Sequence, residues 1–324
     1  MNKKIRKTLF SEVVKEWLTT MKYNIEKSTY LGYESIVKNI IIPYFEKKKI
    51  YIEDITTSDL QKFYFSELDR GINVSTLKKR HIIIKPVLDY AIYVLKLRID
   101  NPAIYIKFPK SKKFMHEILE PETLKFLLEK EKNNQIEMGI FLGGIYGLRR
   151  SEIIGLKWSS IDLVKNIFLV KDTVLRIKIN GKLQIIERNY GKTDSSYRNF
   201  PIIPEFKNLL IRIKAKQDED LKKKCYKKKY LEYIYRDGFG ELVKPGYLSR
   251  KFKQILSKYN VKEVRFHDLR HTCATFLYQM GIPMKDIQNW LGHSSISTTM
   301  NIYTHLNFEN KKLIGEKIDL LFKK

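Results

Sequence analysis

The densest run of potentially reactive side chains is Arg265-Phe266-His267-Asp268-Leu269-Arg270-His271-Thr272. A guanidinium carries fixed charge and a planar fork of donors, which suits phosphate oxygens. An imidazole can move a proton near neutral pH, donate a hydrogen bond or ligate a metal. His267 precedes Arg270 by three residues, which places both on one helix turn. His267 and His271 are four apart, the spacing of a zinc-binding helix. That reading fails on its neighbours. Position 268 is Asp, no motif-linked third ligand accompanies the pair, and Arg270 would set a cation beside the metal. No metal and no cofactor are expected. Three further segments stand apart: Gly147-Leu148-Arg149-Arg150-Ser151-Glu152 upstream, then Leu291-Gly292-His293 and Ile302-Tyr303-Thr304-His305 downstream. Each has an ordinary alternative. Arg149 and Arg150 could be solvated helix-start cations, His271 a helix-face residue, His305 a surface or capping group, and Tyr303 one of 20 tyrosines.

Helices must carry most of these residues. Phe10, Val13, Val14, Trp17, Leu18 and Met21 repeat at i, i+3, i+4, i+7, one apolar helix face. A second helix is predicted after Ser28 with Tyr30, Tyr33, Ile36, Val37 and Ile40, and a third after Thr57/Ser58 with Leu60, Phe63, Tyr64 and Leu68. A fourth follows Ser75 and presents Leu77, Ile84, Leu88, Ala91, Ile92 and Leu95. Four short helices make a small bundle over residues 1–110. Asn101-Pro102 through Lys113 breaks helix and is basic, which reads as a linker into a second domain over 111–324. There helices resume, with Gly147 closing one and Ser151 capping the next. Residues 167–170, 174–179 and 183–186 are β-rich, Asn180-Gly181 between the last two signals a hairpin, and Arg198 to Ile203 would complete a small antiparallel sheet. Helices are predicted again over most of 247–258, 268–280, 284–291, 297–303 and 307–322. The fold class is therefore mainly α with a small antiparallel β-sheet.

Charge narrows the partner. The 62 Lys+Arg against 36 Asp+Glu give +26 over 324 residues, an excess that favours a polyanion. Residues 1–110 hold 21 basic and 12 acidic groups, so the surplus is spread along both halves rather than placed in one tail. Two cysteines, Cys225 and Cys273, supply neither a disulfide framework nor metal spacing. No leader-like apolar segment follows the basic start and no run approaches the length of a membrane span, so a cytoplasmic, nucleoid-associated protein is expected.

Together, the four segments resemble the catalytic domain of the tyrosine recombinases, the phage-type integrases and Xer-like recombinases. The likeness spans roughly 120–310 by motif and 8–110 by the preceding bundle, and the order and spacing of the motifs make it specific. It implies a site-specific recombinase that cuts and rejoins DNA through a 3′-phosphotyrosine and a Holliday junction. Arg149 and Arg270 match the family's two arginines, which stabilise charge on the phosphorus transition state. His267 matches the histidine acting as acid–base or hydrogen-bond partner, and His293 the one donating to a phosphate oxygen. Tyr303 matches the nucleophile, which keeps the bond energy in a covalent link without ATP or metal. Lys192, in Gly191-Lys192-Thr193-Asp194, matches the lysine that protonates the leaving 5′ oxygen, with Lys171, Lys178 and Lys182 as neighbours on the same sheet. Glu152 would orient a guanidinium.

The bundle resembles the family's core-binding, SAM-like domain, with Lys78, Lys79, Arg80 and Lys85 as candidate phosphate contacts or, equally, a solvated helix face. The implied partners are duplex DNA with inverted core sites and three further copies of the chain, a tetramer on DNA and a monomer free of it. An accessory directionality factor is an optional addition. The start of the bundle so near Met1 is read as leaving no room for the arm-binding domain of larger integrases. Leu313, Ile314, Ile318, Leu320 and Leu321 give residues 307–324 one apolar face, resembling a tail helix that docks on a neighbour. The alternatives are a type IB topoisomerase-like strand-passage enzyme and a non-catalytic DNA-binding regulator.

Overall fold

A computed structural model describes residues 7–110, 117–179, 182–189, 198–223 and 225–292. The chain forms two compact units, Met1–Phe114 with Ile177–Lys182, and Met115–Arg176 with Leu183–Lys324.

The first unit is helical. α1 (Phe10–Asn24) buries Phe10, Val13, Val14, Trp17 and Leu18, the face its periodicity predicts. α2 (Lys27–Ile36) runs through a π turn at Val37–Ile41 into α3 (Ile42–Lys47). Pro43, just inside α3, has no N–H to continue the regular ladder, so the wider turn absorbs the break. α4 (Thr57–Asp69) is capped by Thr56, one residue before the predicted Thr57/Ser58. The Thr56 hydroxyl accepts from Asp59 N at 3.2 Å, and the Asp59 carboxylate accepts from Thr56 N at 3.1 Å. α5 (Val74–Tyr93) is capped by Asn73, whose Oδ1 accepts from Thr76 N at 2.9 Å, rather than by Ser75. Phe10, Val37, Phe45, Phe63, Ile84 and Leu88 meet in one core.

One expectation on α5 is corrected here. Lys78 and Lys79 are exposed, but Arg80 is 4% exposed and forms an ion pair with the buried Glu67. Successive helix positions turn by about 100°, so a Lys-Lys-Arg run cannot all face solvent. Position 80 falls with Leu77 and Ile84 on the buried face, which makes Arg80 a core ion-pair residue rather than a phosphate contact. Lys85 is partly buried and pairs with Asp89 at 3.1 Å.

In the second unit α6 (Pro121–Lys130), α7 (Glu137–Gly144) and α8 (Arg150–Gly155) precede the strands. The β region is two sheets rather than one. β1 (Ile161–Asp162), β2 (Ile167–Val170) and β5 (Arg198–Pro201) form one, and β3 (Asp172–Ile179) and β4 (Lys182–Asn189) the other. The β2–β5 pairing is antiparallel, with Phe168 opposite Phe200 and Val170 opposite Arg198. Those two rings stack at 5.2 Å, and this apolar match selects β2 as the partner of β5. Asn180 and Gly181 lie outside the described residues. The long α9 (Pro204–Asp220) follows, then α10 (Pro245–Lys258), α11 (Leu269–Gln279) and α12 (Met284–Leu291). Leu124, Ile140, Phe168, Phe206, Leu248 and Phe252 belong to one core. Cys273, Ala274, Ile287 and Leu291 form a smaller one that seats α12 on α11. Among the described residues no helix is long and apolar enough to cross a membrane.

Candidate active site

The site gathers at the C-terminal end of α12. Four carbonyls at a helix end lack intrahelical partners, and the helix dipole makes that end negative. Here the Gly292 N–H meets those of Gln288 and Asn289, and guanidinium groups satisfy the last ones. Arg149 Nη2 donates to the Gly292 carbonyl at 2.8 Å. Arg270 Nη2 donates to the carbonyl of Leu291, and its Nη1 to that of Gly147 at 2.7 Å. Arg198 Nη1 donates to the Leu291 carbonyl at 2.5 Å and the Trp290 carbonyl at 3.3 Å. Three arginines distant in sequence thus meet on three consecutive carbonyls.

Aromatic packing fixes that helix end. Trp290 stacks on Tyr146 at 6.0 Å and meets Phe200 edge-on at 4.8 Å. The Tyr146 hydroxyl in turn donates to the Pro201 carbonyl at 2.8 Å. Two glycines make the approach close enough. Gly292 caps α12 with φ of +65°, and a Cβ there would meet Arg198 Cδ at 2.8 Å. Gly147, at φ of +68°, lies where a Cβ would meet Leu291 Cδ2 at 2.4 Å.

Arg149 stands at the start of α8 as its N-cap residue, where its backbone N–H donates to Glu152 Oε2 at 2.7 Å. Its Nη1 donates to Glu152 Oε1 at 2.8 Å. Glu152 is 2% exposed, and its Oε1 also meets Arg198 Nη2 at 2.6 Å. Burial by itself would raise the Glu152 pKa, but the charges of Arg198 and Arg149 outweigh it and hold the carboxylate below its ordinary range. Arg270 is 2% exposed. Burial first and the Arg149 charge second push its pKa down to about 9, so two cations are held together against their repulsion.

His267 lies in a short 3₁₀ turn, Phe266–Asp268, just ahead of α11. The turn is pinned by Asp268, 1% exposed, whose carboxylate accepts from Arg265 Nε at 2.9 Å and Nη2 at 2.8 Å. The imidazole reaches solvent, yet desolvation and then the Arg270 charge keep its pKa below the ordinary 6.5. The neutral ring is therefore the form at neutral pH. His271 is mostly buried, stands edge-on to His267 at 5.8 Å, and sits 4.0 Å from Asp268. Among the described residues no cluster of three or more His, Cys, Asp or Glu could hold a metal ion. Burial pushes the Cys273 thiol up to about 12, so it is not a reactive group. Arg150 points away and donates to Ser249 at 2.8 Å.

The structure thus brings Arg149, Glu152, His267 and Arg270 into one electrostatic neighbourhood. Lys192, His293 and Tyr303 lie outside the described residues, as does 307–324. The described chain stops at Gly292, one position before His293, while its carbonyl still holds Arg149. Arg198 is the residue that sequence reading missed. It stood there only as the first residue of a strand, and the available signal was a cation beginning that strand.

Comparison with known proteins places this arrangement. The profile of the phage integrase family matches residues 119–310, and that of the phage integrase N-terminal SAM-like domain matches 9–68. A tyrosine recombinase XerC-like protein of Caldanaerobacter subterraneus is 28% identical over 99% of this chain and 85% of its own length. The ICEBs1 integrase of Bacillus subtilis is 24% identical over 98% of this chain and 84% of its own. Among solved structures, the Tn1549 transposon integrase in complex with a circular intermediate DNA superposes with a TM-score of 0.77 at 20% identity, covering 96% of this chain and 99% of that one. A lambda integrase tetramer bound to a Holliday junction gives 0.64 at 17% identity, covering 92% and 78%. At those identities the structures speak to the fold.

Proposed function

This chain belongs to the phage integrase family, the tyrosine recombinases, and on that premise we propose the following division of labour in site-specific recombination. Residues 1–110 form a core-binding domain and 111–324 a catalytic domain, which grip duplex DNA carrying inverted core sites. Tyr303 Oη attacks the scissile phosphorus. The bond from phosphorus to the 5′ oxygen breaks, the 5′ hydroxyl departs with a proton from Lys192, and a 3′-phosphotyrosine remains. Arg149 and Arg270 neutralise the non-bridging oxygens as negative charge builds there. His267, neutral in the resting site, takes the phenol proton or hydrogen-bonds to the phosphate, and His293 donates to a phosphate oxygen. Attack of a 5′ hydroxyl from the partner duplex on the phosphotyrosine reverses the step and yields the exchanged strand. Two such rounds pass through a four-way junction within a tetramer.

The observation that carries this reading is the meeting of Arg149 and Arg270 on adjacent carbonyls at the end of α12, beside His267. A buried guanidinium and a half-exposed one, repelling each other and with Glu152 shared with a third arginine, hold positive charge that favours an incoming anion. A diester phosphate is such an anion. The strongly basic composition favours DNA as its source. Incubation with a library of nicked suicide duplexes, followed by sequencing of the protein-linked strands, tests the proposal. Adducts confined to one short inverted-repeat sequence, with junction products on paired duplexes, are expected. Adducts on any sequence with relaxation of supercoils and no junctions would instead mark a strand-passage enzyme, and binding without adducts a regulator.

A further inference from the structure

Arg198 joins three parts of the site through one guanidinium. Its Nη2 shares Glu152 Oε1 with Arg149, its Nη1 holds the Trp290 and Leu291 carbonyls, and its plane rests 5.6 Å from the Phe200 ring. The side chain is 10% exposed, with both terminal nitrogens committed to protein acceptors. We propose that Arg198 is a positioning residue for strand cleavage, acting through Glu152 on Arg149 and through the end of α12 on the backbone that leads into His293. The inference rests on the reading of this site as a DNA-cleaving one.

Three physical points carry it. A carboxylate paired with Arg149 alone would cancel the charge that a phosphate needs. Shared between two guanidiniums, it leaves one net positive charge beside that of Arg270. Secondly, the last carbonyls of α12 point at the arginines only if the helix end is held, and Arg198 bonds two of them through Nη1 while its Nη2 holds Glu152, a planar fork that Lys cannot reproduce. Thirdly, Arg198 begins β5, six residues after Lys192 in sequence. Six residues span at most about 20 Å, so the chain keeps Lys192 within that reach of the Arg198 backbone.

The test uses the full chain and a nicked suicide duplex carrying the cleavage site mapped for the unaltered protein. Single-turnover cleavage, duplex affinity and the pH profile are measured for Arg198→Gln, Arg198→Lys, Glu152→Gln and the double variant. Arg198→Gln should cleave on the order of 100-fold more slowly with affinity retained, as expected when a reacting group is misplaced by about an ångström. Glu152 is faced by the cations Arg149, Arg198 and Arg270. With Arg198 gone, burial gains ground and the carboxylate's own acid limb, read in a His267→Gln background so that the imidazole does not mask it, should move to higher pH. The double variant should lose less than the product of the two single losses, because the route through Glu152 is shared, while the hold on the α12 carbonyls is lost only with Arg198. Arg198→Lys keeps the charge but not the fork, so it should recover only part of the rate, with its acid limb near that of the unaltered protein; if the Gln variant does not fold, this partial loss of cleavage at retained affinity is the readout. Wild-type rates in Arg198→Gln, or equal losses of cleavage and affinity in both Arg198 variants, would overturn the inference. Absence of adduct with the unaltered protein would overturn the DNA-cleaving reading itself.

Discussion

At the scale of single residues, the site separates charge that binds from charge that reacts. Arg149→Ala and Arg270→Ala should each lower cleavage by about 100-fold or more, the loss typical when a transition-state donor is removed. Duplex affinity should largely persist, because the net charge of +26 leaves many other cations to attract the backbone. Gel-shift and suicide-cleavage assays on the same duplex separate the two, and a parallel fall in both would contradict this account. His267 adds a pH signature. Its folded pKa lies below 6.5, so the neutral ring dominates above that value and protonates only at more acid pH. Cleavage should hold level as pH falls to 6.5 and drop below it, and His267→Gln should remove that drop. A midpoint above 6.5 would assign the titration to another group. The motif order around Arg149, His267 and Arg270 was readable in the sequence because each residue sits in a short, distinctive string. Arg198 was not, since its partners are carbonyls and a carboxylate supplied by remote segments, and no local spacing encodes them.

At the scale of elements, two close approaches decide whether the arginines can meet. Gly147→Ala forces a side chain into a left-handed backbone and against Leu291 Cδ2, while displacing the carbonyl that holds Arg270. A loss of about 1–3 kcal/mol in stability is expected from the backbone strain, more if Leu291 cannot move. Urea melts should show it, together with slower cleavage. Stability equal to the parent would mean that α12 shifts freely. On α5, Arg80→Ala should cost up to about 3–5 kcal/mol by removing the buried partner of Glu67 and leaving it only the exposed Arg70. An effect confined to DNA affinity would restore Arg80 as a phosphate contact. Helix faces such as Phe10 to Leu18 were legible because burial follows their period. The caps at Thr56 and Asn73 and the ion pair at Arg80 were placed wrongly or missed. Several polar residues stood close together in each case, and tertiary packing chose among them.

At the scale of the whole molecule, the excess of positive charge should set the salt response. Each phosphate neutralised contributes a slope of about −0.9 in log affinity against log salt. Lys78→Ala with Lys79→Ala should reduce the slope by about 1.8 if both contact the backbone, whereas Arg80→Ala should leave it unchanged. A slope near zero for the parent would dissociate the basic surface from DNA binding. The mainly helical class and the small antiparallel strands were legible from periodicity and turn residues. The division of the strands into two sheets was not, because the partner of β5 is chosen by the stacking of Phe168 on Phe200 rather than by order along the chain. The central claim is a covalent bond, and one measurement reaches it directly. The protein is trapped on a nicked suicide duplex, digested, and the peptide bearing the nucleotide is sequenced by mass spectrometry. The nucleotide is expected on Tyr303, with no adduct formed by Tyr303→Phe; an adduct on another side chain, or one that survives in Tyr303→Phe, would contradict the account.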